Sequence, residues 1–312
     1  MYESAATLYL YVESPLHAGV GFQARGPVDL PIQRDGVTEH PLVRASSLKG
    51  TLRDLARSAA PPEEVEAAFG PEPGDQEEEQ EPDDDDPFAG ALVLGDARLL
   101  LFPLRSLLGV FSWVTSADVL STMQRTAAGR GIQLTMPPAA PPPDGAAWVG
   151  PKNRAVNAQG QLVLEEYTFE AKPVRPLIDM GRWFGSAVFP QDETYSYWAR
   201  KVQTDLALVS EEAFRHFGTT RTEVIHRIRI DPETGTAATG ALWTEEFLPA
   251  DSVLYCPVAA QAPVHPTQRL KTGADVLAWL KALVPDRIQL GGGRTLGRGI
   301  VRVRWDEGGA PS

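Results

Sequence analysis

One cysteine occurs among the 312 residues, histidines number five, and 29 Lys+Arg stand against 41 Asp+Glu. A lone Cys256 excludes an internal disulfide, and no Cys/His cluster has the spacing of a zinc site. No apolar run reaches the ~18 residues that a bilayer-spanning helix needs. The opening MYESAATLYLYVES lacks a basic n-region and a small-residue cleavage site, so it does not read as a signal peptide. These absences predict a soluble protein of a reducing, cytoplasmic compartment with no membrane partner. Positive charge is scarce as well. A net charge of −12 argues at first sight against nucleic acid, because phosphate binding needs local cations.

Locating the charge removes that objection. Between Pro71 and Gly90 lie ten acids (Glu72, Asp75, Glu77, Glu78, Glu79, Glu81 and Asp83 to Asp86) and no Lys or Arg. Taking those ten from −12 leaves −2 for the rest of the chain. Arg287 to Arg304, in contrast, holds five arginines and no acid. Residues 71–88 are too acidic and too poor in apolar side chains to fold, and read as a mobile insertion. Elsewhere the apolar share of 43% and charged share of 22% are ordinary globular values, so a single elaborated domain over 1–312 is expected.

Residues 7–12 alternate Leu8, Leu10 and Val12 with Thr7, Tyr9 and Tyr11, the pattern of an opening strand. A helix starts near Ser46-Ser47, either of which suits the N-cap, with Leu48, Leu52 and Leu55 as its apolar stripe. Lys49, Arg53 and Arg57 recur every fourth residue beside it. Ser116 reads as the cap of a helix through about Ala128. Glu223–Ile230 and Gly240–Phe247 read as strands around the turn-rich 231–236 segment. Ala274–Val284 is an amphipathic helix, and Arg287–Leu290 and Gly299–Trp305 are closing strands. Strands mixed with a few helices and long connections indicate α+β rather than a βαβ repeat. Residues 145–200 are poorly readable.

Three segments carry residues suited to chemistry. Gly291-Gly292-Gly293-Arg294-Thr-Leu-Gly297-Arg298-Gly299 brings backbone N–H groups and two arginines to one loop. It is not a Walker A loop, since Arg298-Gly299 stands where Lys-Ser/Thr is required and a strand follows. A phosphate cradle and a plain hairpin turn both satisfy it. Ser46-Ser47-Leu-Lys49-Gly-Thr-Leu-Arg53 offers a helix N-terminus, two hydroxyls and two cations, which suits a phosphodiester as well as a solvated surface helix. Asp29, on the proline-bounded Val28-Asp-Leu-Pro-Ile32, is compatible with a turn cap, the commoner role of such a residue, and with catalysis. His17 precedes it on a Gly-rich loop. His216 and His226 fall in regular patterns and read as structural. No Ser-His-Asp or Cys-His set can be assembled.

The order of these segments is more specific than any one of them. A first strand ending in Ser-Pro-Leu-His17-Ala-Gly19 leads to Val-Asp29-Leu-Pro-Ile-Gln-Arg34, then to Ser46-Ser47-Leu-Lys49, and finally to Gly-Gly-Gly-Arg294-Thr-Leu-Gly-Arg298-Gly. This resembles the RAMP superfamily of CRISPR-associated proteins. It is most similar to the repeated backbone subunit of the type III-B (Cmr) RNA-targeting effector, which the segments 90–116 and 162–166 also resemble.

The resemblance implies an RRM-like, ferredoxin-type palm with inserted fingers and a thumb β-hairpin, for which 145–200 is the candidate region. It implies guide RNA, complementary target RNA, further head-to-tail copies and other subunits of the effector as partners. It implies Asp29 as the catalytic residue of an RNA-guided endoribonuclease dependent on a divalent ion, Mg or Mn, with no organic cofactor. His17, Ser46, Ser47, Lys49, Arg53, Gly291, Gly292, Gly293, Arg294 and Arg298 become RNA-binding positions, and Asp29 a possible metal ligand. The sequence departs from the pattern at Arg44-Ala45, where relatives carry a proline or glycine turn. A non-catalytic RNA-binding backbone is the alternative reading. A mononucleotide-binding enzyme is a third.

Overall fold

The apolar and aromatic residues of the first strand, β1 (Ser4–Val12), are buried on both faces, Leu8, Tyr9 and Leu10 alike at 0% exposure. Its alternation therefore separates two packed faces rather than core from solvent. The computed structural model describes residues 2–21, 26–71, 88–134, 136–137 and 140–308. The acidic insertion at 71–88 lies, but for its ends, outside the described residues.

After β1 the chain forms β2 (Leu42–Val43), α1 (Ala45–Arg57), α2 (Pro62–Phe69), β3 (Leu92–Leu94), β4 (Ala97–Arg105), β5 (Phe111–Thr115) and α3 (Ala117–Ala128). A middle region follows with β6 (Ala146–Val149), β7 (Gln161–Leu164), β8 (Tyr167–Pro173), α4 (Pro176–Ala187), α5 (Ser196–Thr204), β9 (Leu206–Leu208) and α6 (Glu211–Thr220). The chain ends with β10 (Glu223–Ile230), β11 (Ala237–Phe247), β12 (Val253–Ala260), α7 (Gly273–Leu283), β13 (Arg287–Gln289) and β14 (Ile300–Asp306). It is a mixed α and β fold, as expected.

Twelve strands make one sheet, ordered β13-β14-β1-β12-β4-β5-β9-β6-β8-β7, with β2 and β3 paired at the side. Among the described strands of this sheet, the β5–β9 and β6–β8 pairings are parallel and the others antiparallel. Strand β4 joins two halves: Arg98 to Leu101 pair with β12, and Phe102 to Arg105 pair with β5. In the first half, β14-β1-β12-β4 is antiparallel throughout, with α1 on the connection from β1 to β4 and α7 on that from β12 to β14.

Both faces of that half are covered. Lys281 of α7 sits over the Trp305 ring at 5.9 Å, on the side of Leu8, whose strand neighbour is Trp305. The other face carries Tyr9, Tyr11 and Tyr255. Tyr9 meets Trp183 of α4 edge-on at 6.0 Å, and Tyr11 meets Phe189 at 5.0 Å. A sheet face roofed in this way offers no aromatic platform to bases.

Residues 145–200 hold β6, β7 and β8 of the large sheet and then α4 and α5. Gly181 and Gly185 let α4 lie directly on α5: a Cβ at 181 would come within 2.8 Å of the Gln203 Cα, and one at 185 within 2.7 Å of the Ala199 carbonyl oxygen. Under α5, the buried Lys201 ammonium pairs with Asp205 and donates to the carbonyls of Gly109 (3.1 Å) and Phe111 (2.8 Å). The separate two-stranded ribbon is β10–β11, and its register runs from Glu223↔Phe247 to Ile228↔Leu242.

Two expected helix starts have different outcomes. Ser116 caps α3, its hydroxyl accepting from the Val119 N–H. For α1, neither Ser46 nor Ser47 is the cap: the helix begins at Ala45, and Arg44 stands in the cap position without a capping side-chain bond of its own. The orphan donors are met from outside instead, Ala45 N–H by Asp96 Oδ1 (2.8 Å) and Arg44 N–H by Gln33 Oε1 (2.7 Å).

Candidate nucleic-acid interface

The last residues of β11 organise the site. Its backbone carries, on the edge away from β10, the segment holding Asp29: Leu30 N–H donates to the Thr244 carbonyl (3.0 Å), and Glu246 N–H donates to the Leu30 carbonyl (3.0 Å). The loop holding His17 joins the same strand end through an antiparallel bridge between Leu16 and Leu248. Gly19 then bridges Ile32, so both loops form short extensions of the ribbon.

Asp29 Oδ2 accepts from the Thr244 N–H (2.8 Å) and the Thr244 hydroxyl (2.8 Å). The backbone N–H bond and then the hydroxyl bond hold its carboxyl below the usual carboxylate range, so the group is anionic at neutral pH. Partly exposed, it presents a fixed negative charge to whatever lies over the ribbon.

His17 Nδ1 lies 2.7 Å from the Glu246 carbonyl, a bond in which the ring N–H donates and leaves Nε2 as the free nitrogen. The glycine loop rests on this residue: Gly292 N–H donates to the His17 carbonyl (2.9 Å) and Gly299 N–H to that of Pro15 (3.0 Å). Gly291 has φ +69°, and a Cβ there would overlap the His17 carbonyl oxygen. Gly293 and Gly297 are also left-handed and bracket a single 3₁₀ turn, Arg294–Leu296, on which Arg294 is exposed. Arg298 folds back over the Phe247 ring at 4.9 Å.

Gln33 ties α1 to these loops. Its amide nitrogen donates to the Gly19 carbonyl (3.1 Å) and the Ser47 hydroxyl (3.1 Å), while its oxygen takes the Arg44 N–H. Ser46 and Ser47 are exposed at that helix end. The structure thus links His17, Asp29, Ser47, Gly291 to Gly293 and Arg298 into one surface, with Ser46 beside Ser47.

Two expected members lie differently. Arg53 is turned inward, donating to the Gly70 carbonyl and stacking over Phe69 at 5.8 Å, and burial lowers its pKa. Lys49, one turn earlier, is half-buried facing Phe69 and Gly70, and its desolvation likewise lowers the ammonium pKa. No residue pattern announces Thr244 or Glu246, and Gln33 and Arg34 enter only as unassigned members of the Asp29 segment. Glu246 is 5% exposed; it pairs with Arg34 and accepts from Thr222 Oγ1 (2.6 Å) and Ile32 N–H (3.0 Å).

A mixed fold with a cationic loop, exposed hydroxyls and one ordered carboxylate on a single surface defines a protein equipped to handle a phosphodiester chain. The chain belongs to the RAMP superfamily, which residues 9–302 match. It is 31% identical over 302 residues to the CRISPR system Cmr endoribonuclease Cmr4 of Pyrococcus furiosus, covering 96% of this chain and 94% of that protein. The crystal structure of oligomeric Cmr4 from Pyrococcus furiosus has the same fold, with a TM-score of 0.70 and 24% identity over 98% of this chain and 99% of that one. A chain in the cryo-EM structure of the type III-B Cmr-β complex bound to cognate target RNA also has it, with a TM-score of 0.71 and 19% identity over 97% and 98% of the two chains.

Proposed function

We propose that this chain is the repeated backbone subunit of a cytoplasmic type III-B CRISPR ribonucleoprotein, holding guide RNA and cleaving complementary target RNA with Asp29 as the catalytic residue. The observation that carries the reading is the joining of Asp29, His17 and the glycine loop at one strand end, in a RAMP-family chain similar to a Cmr endoribonuclease. The arrangement β14-β1-β12-β4 with helices on its two crossovers corresponds to a ferredoxin-type palm, with the tyrosine face closed by α4.

The β10–β11 ribbon suits the thumb better than 145–200 does. It stands apart from the large sheet and exposes Val224, Ile228, Ile230 and Leu242 at 45%, 53%, 50% and 65%. Apolar side chains on a two-stranded ribbon suit insertion into a base-paired stack, which frees one nucleotide to reach in-line geometry beside Asp29.

Guide and target phosphates meet the exposed N-terminus of α1 with Ser46 and Ser47, the N–H groups of Gly291 to Gly293, and Arg294 and Arg298. Sequence is left to base pairing. His17 holds the loops in register and offers Nε2 to RNA. Asp29 orients the 2′-hydroxyl that attacks the adjacent phosphorus.

Among the described residues no three His, Cys, Asp or Glu side chains lie together as an ion cage. Asp29, a partly exposed carboxylate with one oxygen held by Thr244, would be the residue to hold a hard cation such as Mg. When bound, such an ion offsets the repulsion between the carboxylate and the phosphodiester.

Complexes assembled from Asp29→Ala chains with guide RNA are expected to bind target with unchanged affinity and to leave it intact. Wild-type complexes treated with a chelator should behave the same way. Cutting at the same intervals by the Asp29→Ala complex would show that Asp29 is not the catalytic residue.

A further inference from the structure

We propose that His226 is a further RNA-contacting residue of the cleavage site, donating a hydrogen bond to the target phosphodiester opposite Asp29. The inference rests on the cleavage reading above and adds a residue to it.

Residue 226 lies in β10, directly across from Thr244. Both backbone groups of Thr244 are turned away from β10: its N–H goes to Asp29 and its carbonyl to Leu30. The pair is therefore of the non-hydrogen-bonded kind, in which Cα atoms stand about 4.5 Å apart and side chains approach most closely. Opposed side chains share a face, so the imidazole rises on the same face as the Thr244 hydroxyl, and that hydroxyl is bonded to the Asp29 carboxylate. Asp29 and His226 consequently flank one threonine from its two sides. The backbones carrying them are about two strand spacings apart, roughly 9–10 Å, and inward-reaching side chains leave room for one phosphate between them.

The rest of that face is consistent. Val224, Ile228 and Leu242 share it, so the imidazole is a polar donor between an apolar tip and the carboxylate. Glu246 is also on this side, but it is buried and taken by Arg34, Thr222 and Ile32. Arg227 and Glu245 pair with each other on the opposite face.

Every other histidine is engaged. His17 bonds the Glu246 carbonyl, His216 bonds the Tyr167 hydroxyl, His40 packs on Phe214 and His265 on Phe88. His226 is exposed and makes no side-chain hydrogen bond to a described residue. A strand histidine without a hydrogen-bond partner among the described residues, separated from the Asp29 carboxylate by Thr244 alone, is placed for substrate.

The test uses full-length chains assembled with guide RNA, comparing wild type with His226→Ala, His226→Gln and Asp29→Ala. Target affinity and single-turnover cleavage are measured separately. His226→Ala is expected to slow cleavage roughly 100- to 1,000-fold, as loss of one donor to a developing oxyanion does, with affinity held within about two-fold. His226→Gln, whose amide can still donate, should recover most of the rate. Cleavage by His226→Ala at the wild-type rate overturns the assignment, and so does a glutamine variant as slow as alanine. Cleavage by Asp29→Ala would instead overturn the reading on which it rests.

Discussion

Glu246 bears most of the organisation of this site, although nothing in its local sequence distinguishes it from Glu245. Its carboxylate binds a guanidinium from position 34, a hydroxyl from 222 and a backbone N–H from 32, and its carbonyl fixes the His17 ring. The bond to Arg34 spans 212 residues of chain, beyond the reach of any spacing rule. Asp29 and His17 stand in the sequence as open candidates to which only the resemblance gives a role, and their partners Thr244 and Glu246 do not stand out at all. Removing Glu246 leaves Arg34 without its acid and a buried N–H unpaired. Glu246→Ala should therefore cost about 3 kcal/mol, read as a lowered urea midpoint with unchanged slope. A midpoint equal to that of wild type would show that the network is not stabilising. His226 illustrates the converse failure: a β pattern reads as structural, while only the register against Thr244 reveals which face its side chain occupies.

Elements were readable where they carry their own end signals. Ser116 opens α3 because its hydroxyl takes the Val119 N–H, and Thr272 opens α7 through a capping box with Asp275. The N-cap of α1 is not legible locally, because the first helical N–H is met by Asp96, about fifty residues onward. Helix α4 does carry a buried face at helical spacing, Leu177, Met180, Trp183 and Phe184, but Gly181 and Gly185 interrupt it, and those glycines serve its contact with α5. The glycine loop reads from sequence as a phosphate cradle or a plain turn, and its docking on His17 is not legible there. That docking separates its glycines. At Gly291 the left-handed backbone and the His17 carbonyl both oppose a side chain, whereas at Gly292 a Cβ meets only ordinary contact, 3.4 Å from His17 Cδ2. Gly291→Ala is expected to lose about 1–3 kcal/mol of stability together with guide affinity, and Gly292→Ala to stay close to wild type in melting temperature. Equal effects of the two in thermal melts and guide binding would contradict the docked geometry.

At the scale of the whole molecule, the strongly acidic average conceals a cationic surface. The ten acids of 72–86 lie outside the described residues, while Arg294 and Arg298 stand on the loop beside the end of β11 that holds Asp29. Arg298→Ala should weaken guide binding and flatten the slope of log affinity against log salt by about one, without changing which targets pair. Arg53→Ala, whose guanidinium is spent on the Gly70 carbonyl, should lower stability more than it changes that slope. An equal slope for Arg298→Ala and wild type would remove Arg298 from the RNA surface. The claim on which all of this turns is that each copy of the chain cuts target at its own Asp29. Complexes assembled with guide RNA from equal amounts of wild-type and Asp29→Ala chains, followed by the single-turnover product ladder, test it most directly. The account predicts bands at unchanged positions, each reaching about half the wild-type yield, since each position is served by one copy. A ladder as intense and as rapid as that of the all-wild-type complex would contradict it.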